Sequence, residues 1–421
     1  MYNEYTTELR HAERHSLIIS ITLYTSKQDF LYKNTMKVVH IAECAGGVER
    51  YLQMLIPLLK KRGTEQSIIC SQHFTEANFK GVAGFYQIDM RQSFSPSIVW
   101  NTIRRIRNIL KSEKPDIIYC HSSFGGTLGR LASIGQSAKV VYNPHGWSFN
   151  DQHISSIKRR LYAFIEKSLS PITDKYVAIS DFEKSNAIKY HITNPQKIAV
   201  IKNGIDIGKY FNRAKKTREE FGIPTDSCVI GMVGRLSIGK SPDIFVKMAN
   251  CLKKDIPNAF FIIVGDGEER TAIENLIKQL SLQDRFMITG WVDNVYDYED
   301  AFDYAVLLTK WEGFGLAVAE YMLCRKPLVS TKVGGIPDIV KDGFNGLLIN
   351  HIDAKTAADA VMRLYSDKAL TTKLVDNAFK FVTTELDVHK TADKHFELFT
   401  NMLKNKHSTE LYPRGGQTSN S

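Results

Sequence analysis

From about residue 36 to residue 400, short β-branched runs alternate with amphipathic stretches. The runs at 38–41, 67–70, 117–120, 140–143 and 176–179 have the length and composition of buried strands. Between them, residues 48–61, 98–111 and 157–168 carry apolar side chains at helical spacing. A second series follows, with strands predicted at 229–233, 260–264, 286–289, 304–308 and 327–330. Its helices are predicted at 242–253, 268–279, 317–323 and 354–365. Alternation of this kind predicts an α/β fold, with parallel sheets covered by helices on both faces. The series occurs twice, with its break near 205–218.

This pattern predicts two doubly wound domains, 36–206 and 207–385, facing each other across a cleft. A helix over 386–403 is expected to pack back towards the first domain, and residues 404–421 to form a mobile tail. Residues 1–35 lack the pattern, and Met36 opens a typical buried strand, so the fold is expected to begin there. With 421 residues the chain exceeds what one core serves, which agrees with two domains.

The six cysteines are scattered and never form a C-x-x-C pair. Most sit in or beside apolar runs and are expected to be buried free thiols in a reducing compartment, which argues against a zinc site or a disulfide framework. No apolar stretch approaches the ~20 residues of a membrane-spanning helix. The run at 17–23 is too short, and no clear cleavage site follows it, so a cytoplasmic location is expected. The net charge of +10 lies entirely in the first half: residues 1–206 hold 27 Lys/Arg against 17 Asp/Glu. Such a surface suits anionic lipid, phosphorylated substrates or nucleic acid, but no aromatic-rich nucleic-acid motif accompanies it.

Candidate chemistry lies where strands end. Gly46-Gly47-Val48-Glu49-Arg50 follows the first strand and opens a helix, where amides can approach a phosphate. It lacks the G-x-G-x-x-G spacing of a dinucleotide site, and the chain has no P-loop. Gly234-Arg235-Leu236 and Lys240 follow the first strand of the second domain, a fork and a point charge suited to a diphosphate. Gly265-Asp266-Gly267 ends the next strand. The segment Glu312-Gly313-Phe314-Gly315-Leu316-Ala317-Val318-Ala319-Glu320 is the most informative. Glu312 falls in a loop over the crevice, while Glu320 lies inside an otherwise apolar helix. A buried carboxylate there needs a partner, either ligand hydroxyls or a Lys or Arg in the core. Gly334-Gly335-Ile336-Pro337 ends a further strand, and Asn143-Pro144-His145-Gly146 directs His145 towards the same cleft.

Taken in order, these motifs, with Asn203-Gly204-Ile205-Asp206, resemble family 4 of the retaining glycosyltransferases, whose two-Rossmann architecture is called GT-B. The resemblance covers residues 36 to about 400. It implies that Arg235 and Lys240 hold the donor diphosphate, with Gly46 and Gly47 adding amides from the opposite domain. It also implies that Glu320 binds the ribose, and that Glu312 and the amides of Phe314, Gly315 and Leu316 position sugar and phosphate. Gly265 would help to line the donor site, His145 would contact the sugar, and the base would lie near Trp291 and Val292. The catalytic set so implied is His145, Glu312, Arg235 and Lys240. No cofactor or metal is expected, since the nucleotide-sugar is a substrate and cations and amides stabilise the leaving diphosphate. Two departures from the family pattern stand out: Ser241 replaces a usual glycine, and Leu308-Thr309-Lys310 replaces the common Pro-Ser.

Two basic stretches, Arg104-Arg105-Ile106-Arg107 and Lys158-Arg159-Arg160-Leu161-Tyr162, lie on amphipathic helices. They are expected to rest on anionic membrane beside a lipid-diphosphate-linked acceptor, on the inner face of the plasma membrane. The expected activity is transfer from a nucleotide-sugar, UDP-linked in preference, to a glycan acceptor in bacterial surface polysaccharide synthesis. A small soluble acceptor, an epimerase-like protein and a non-catalytic binding protein are the alternatives.

Overall fold

The structure is a computed structural model and describes residues 35–43, 46–79, 81–90, 95–150 and 154–411, with side chains described to residue 404. The readings made for residues 1–34, for Cys44 and for residues 412–421 lie outside these.

The first series comprises β1 (Met36–Ala42), α1 (Gly47–Lys61), β2 (Thr64–Cys70), β3 (Gly84–Gln87), α2 (Pro96–Glu113) and β4 (Ile117–His121). It continues through α3 (Ser123–Ala132), β5 (Lys139–Asn143), α4 (Ser156–Ser168), β6 (Lys175–Ala178), α5 (Asp181–Lys189) and β7 (Ile198–Val200). All its strands pair in parallel, in the order β3-β2-β1-β4-β5-β6-β7. The short helix α6 (Ile207–Phe211) leads to β8 (Cys228–Val233), α7 (Pro242–Leu252), β9 (Ala259–Val264), α8 (Arg270–Gln279) and β10 (Phe286–Ile288). Then come α9 (Val295–Ala301), β11 (Tyr304–Leu307), α10 (Leu316–Leu323), β12 (Leu328–Thr331), α11 (Ile336–Ile339) and β13 (Leu347–Ile349). This second sheet is also parallel throughout, ordered β10-β9-β8-β11-β12-β13. In each sheet the strand order reverses beside the first strand, where doubly wound folds bind ligands.

The helices α12 (Ala354–Ser366), α13 (Lys368–Glu385) and α14 (Val388–Leu411) close the chain. Val388, Ala392, Phe399 and Met402 of α14 join the core formed by β1, β2, β4 and α1, so the last helix crosses back to the first sheet. Its backbone is stitched to the inter-sheet connection by Ile205 N–H donating to Leu386 O (2.8 Å) and Val388 N–H to Ile205 O (3.1 Å). A Cβ on Gly204 would come within 2.4 Å of Val388 Cα, so only glycine permits this crossing. The helix runs on to Leu411, into the stretch expected to be a mobile tail, because neither Gly nor Pro interrupts the sequence before Pro413.

Several elements that the periodicity did not announce have a local physical reason. β3, β7 and β13 are three or four residues long, too short to show a period. Helix α3 contains Gly125, Gly126 and Gly129, residues of poor helix propensity. They are there because α3 lies directly on the sheet: a Cβ on Gly126 would sit 2.3 Å from the Tyr142 ring. Among the described residues the five cysteines are free; Cys70, Cys120 and Cys324 are buried, whereas Cys228 and Cys251 are half-buried.

Beneath α3 and α4, Arg130 and Glu166 form an ion pair of 2.8 Å, both almost fully buried. Tyr142 donates a second hydrogen bond to Glu166 (2.9 Å), and its ring stacks under the guanidinium. Removing one member of a buried pair strands the other charge. Glu166→Ala is therefore expected to destabilise the protein by about 3–5 kcal/mol, read from the midpoint of urea unfolding.

Candidate active site

Parallel strands deliver their following loops to one edge of each sheet, and these two edges form the walls of a cleft. On the first wall, the chain leaves β1 and enters α1 through Gly46, whose φ of 81° lies in the left-handed region. A Cβ on Gly46 or Gly47 would meet nothing within 4 Å, so packing does not demand these glycines, and the start of α1 is open to the cleft. Arg50 sits one turn further on. His145 follows β5, also in a left-handed conformation (φ 51°), with its N–H donating to Asn143 Oδ1 at 2.9 Å.

On the second wall, Arg235 follows β8 and Lys240 ends a short 3-10 turn. Glu312 lies after β11, and Gly315 caps the start of α10. The Glu312 loop is held backbone to backbone: Gly335 N–H donates to Glu312 O at 2.9 Å. A Cβ on Gly334 would lie 1.9 Å from the same oxygen. Between the walls lies a pocket of about 250 Å³, lined among others by Gly146, Asn150, Lys310, Trp311, Glu312 and Lys332.

Three cations of the cleft, Arg50, Arg235 and Lys240, already have carboxylate partners. Lys240 donates to Glu312, and Arg235 to Glu268 at 2.9 Å. The second pair is exposed, 64% and 52%, so it is screened and easily exchanged. Glu320, the carboxylate inside α10, is reached by Arg50 from the opposite domain. Of the two partners open to Glu320 from the sequence, the arginine is present, but it crosses the cleft rather than lying in the same core. Burial pushes the Glu320 carboxyl upward, and Arg50 pulls it the other way. Glu320 Oε2 is buried with no hydrogen-bond partner among the described residues.

The structure therefore brings Gly46, Gly47, Arg235, Lys240, Glu312, Gly315, Leu316, Glu320 and His145 to the facing edges. Phe314 turns its ring into the core and leaves only its backbone to the cleft. Gly265 is pressed against the Gly234 turn, where a Cβ would be 2.1 Å from Gly234 O, so its constraint is packing. Trp291 is 70% exposed, while Val292 packs against the second core.

Three residues of the cleft were not singled out in the sequence. Arg50 closes the Gly46–Arg50 strand-to-helix motif, whose spacing gives the arginine no role. Lys332 gives no signal beyond following a strand. Glu183 lies in the first turn of α5 in a variant of the capping box: Ser180 Oγ accepts from Glu183 N–H (3.2 Å), and Ile179 N–H, one residue before the cap, donates to Glu183 Oε2 (2.9 Å). The S-x-x-E spacing was the available clue. Glu183 is fully buried beside Gly313, and burial pushes its carboxyl up to about 8. Among the described residues, no group of three or more His, Cys, Asp or Glu is arranged to hold a metal ion.

Two facing parallel sheets with phosphate-suited edges define a GT-B architecture. Residues 45–209 match the model of Glycosyltransferase Family 4, and residues 213–381 that of Glycosyl transferases group 1. The chain belongs to family 4 of the glycosyltransferases. It is 28% identical over 382 residues to the UDP-Gal:alpha-D-GlcNAc-diphosphoundecaprenol alpha-1,3-galactosyltransferase of Escherichia coli, covering 88% of this chain and 98% of that protein. Its fold is similar to that of a glycosyltransferase from Rickettsia africae, with TM-score 0.73 and 22% identity, over 88% of this chain and all of that one. It is similar as well to Anabaena HepE in complex with UDP-glucose, with TM-score 0.74 and 21% identity, over 88% of this chain and all of that one.

Glu183 generates a pH prediction. Its folded pKa of about 8 stands above the ordinary 4.5, so the folded state keeps a proton that the unfolded chain releases. Its contribution to stability is intact below pH 4.5 and is lost as pH rises to about 8, each unit being worth about 1.4 kcal/mol. Glu183→Gln keeps an oxygen for the Ile179 amide and cannot ionise. Thermal unfolding is expected to show the variant above wild type at pH 8 and close to it at pH 5.

Proposed function

We propose that the protein is a retaining, metal-independent glycosyltransferase that moves a hexosyl or N-acetylhexosaminyl group from a UDP-sugar to a lipid-diphosphate-linked glycan in bacterial surface polysaccharide synthesis. The observation that carries this reading is Glu320: a buried carboxylate that reaches Arg50 across the cleft and has one oxygen unsatisfied. A ribose supplies hydroxyls for that oxygen, and the neighbouring Arg235, Lys240 and amides of Gly47, Gly315 and Leu316 suit a diphosphate.

In this mechanism Arg235 and Lys240 exchange Glu268 and Glu312 for the donor's phosphates, and Glu320 exchanges part of its contact with Arg50 for ribose. Released from Lys240, Glu312 positions the sugar hydroxyls, with His145 opposite. The cations and the α10 amides stabilise charge as it develops on the leaving diphosphate. No protein carboxylate is assigned as a nucleophile; the acceptor attacks the face that the diphosphate leaves, and a phosphate oxygen takes its proton. The anomeric configuration is kept, giving an α-linkage from an α-linked donor. The E. coli relative, named for a UDP-galactose donor and a diphosphoundecaprenol acceptor, supports this choice of substrates.

The surface of the first domain supports a membrane-borne acceptor. Ile157, Leu161 and Phe164 form one stripe along α4, exposed by 80%, 51% and 66%, beside the exposed Lys158, Arg160 and Lys167. On α2, exposed Ile98 and Trp100 accompany Arg104 and Arg105. Apolar and cationic side chains together suit the headgroup region of an anionic bilayer. Among the described residues, no helix is long and apolar enough to cross a membrane.

The test is turnover of a panel of UDP- and GDP-sugars with lipid-diphosphate-linked acceptors, reading nucleotide release and the linkage by NMR. An α-linked product from a UDP-sugar is expected, and Lys240→Ala or Arg235→Ala should lower kcat about 10²-fold. An inverted product, or no nucleotide release across the panel, would sink the reading. For the membrane face, replacing Ile157, Leu161 and Phe164 together by Ser is expected to abolish sedimentation with phosphatidylglycerol vesicles while UDP affinity stays unchanged. Undiminished sedimentation would remove α4 from the contact.

A further inference from the structure

Three neighbouring strands of the first sheet, β2, β1 and β4, and the loop that follows β5 each supply one residue to a hydrogen-bonded chain that crosses the sheet towards the cleft. Gln66 Oε1 lies 2.7 Å from His40 Nε2. His40 Nδ1 lies 3.1 Å from His121 Nε2, and His121 Nδ1 lies 3.0 Å from His145 Nε2. At the far end Gln66 Nε2 donates to Thr64 Oγ1 at 2.5 Å, the amide orientation that turns its oxygen to His40.

A neutral imidazole has one N–H and one lone pair, so a row of them carries a direction. The Gln66 oxygen can only accept, which puts the proton of His40 on Nε2 and leaves Nδ1 as an acceptor. His121 must then donate from Nε2, and His145 in turn from its own Nε2. The ring at the cleft ends with Nε2–H pointing inward along the chain and Nδ1 bare. Burial pushes His40 down to about 4 and His145 to about 3, so the rings stay neutral near pH 7 and the direction is defined.

Packing prevents the rings from turning. His40 and His121 stack at 5.3 Å, Tyr119 lies 4.1 Å from His121, and Tyr51 lies 4.8 Å edge-on to His145. Both tyrosine hydroxyls approach His395 Nε2 of α14, at 2.9 and 3.0 Å, while His395 Nδ1 bonds Thr391 O at 2.7 Å. The tyrosines are thus engaged elsewhere and do not compete for the chain. The left-handed backbone at His145, held by Asn143, is local strain that the surroundings maintain.

We propose that Gln66, His40 and His121 are positioning residues acting through His145, holding its ring in one orientation as the Nε2–H tautomer so that Nδ1 accepts a hydroxyl of the transferred sugar. This rests on the donor-site reading given above. To present Nδ1–H to the sugar instead, all three hydrogen bonds in series would have to reverse, the Gln66 amide included.

The test combines spectroscopy with a double-mutant cycle on the full chain. Long-range ¹H–¹⁵N spectra of the ligand-free protein are expected to show His145 as a single Nε2–H tautomer, a measurement that needs neither donor nor variant. Gln66→Met keeps the volume and removes the amide. It is expected to turn that signal into a mixture, lower kcat about tenfold and leave UDP affinity within twofold. In a His145→Ala background it should cost nothing further, because its effect passes through His145. A wild-type His145 that is Nδ1–H or mixed, or losses that simply multiply in the double variant, would overturn the proposal. Failure of the wild-type protein to bind UDP would instead overturn the donor reading, and with it the sugar as the partner of Nδ1.

Discussion

Parallel strand pairing is the constraint from which the rest of this structure follows. A parallel strand cannot return through a tight hairpin, so each connection must cross over a face of the sheet. Every strand then ends at the same edge, and the loops that leave those ends meet there. Because both sheets are parallel throughout, the molecule has two such edges. Residues as distant as Gly46, His145, Arg235 and Glu312 converge because each follows a strand. Helix α14 joins the two halves by leaving the second domain and entering the core of the first. Its crossing at Gly204 admits no side chain.

The electrostatics of the cleft suit exchange rather than permanence. Arg50, Arg235 and Lys240 are matched by carboxylates, which limits repulsion in the absence of a ligand. The Arg235 and Glu268 pair is exposed and contributes little to stability. Arg50 and Glu320 differ, since the carboxylate is buried and cannot be left alone. Any ligand that takes Glu320 from Arg50 must bring hydrogen-bond donors of its own.

The polar layer beneath His145 stands apart from the apolar side chains that fill most of the first domain's core. Burying His40, His121, His395, two tyrosines and an amide is tolerable because nearly all of their polar atoms are paired. Such a network specifies geometry more tightly than an apolar core does, since side chains cannot turn without losing partners.

The sequence alone determined the alternation of strands and helices, the division into two series and the motifs at the strand ends. Those features are local: a buried strand is read from its β-branched run, and a glycine turn from its neighbours. It also carried Glu312 and Glu320, because a carboxylate in an apolar helix is conspicuous. It did not reveal α3, whose glycines answer to contacts with β4 and β5 rather than to helix propensity. Nor could it supply the partner of Glu320, since Arg50 is 270 residues away. The chain from Gln66 to His145 was equally hidden, its members 26, 81 and 24 residues apart. Parallel crossovers place residues side by side whose separation along the chain has no fixed period. The sequence therefore marked which side chains could do chemistry, and only the tertiary structure decided which of them touch.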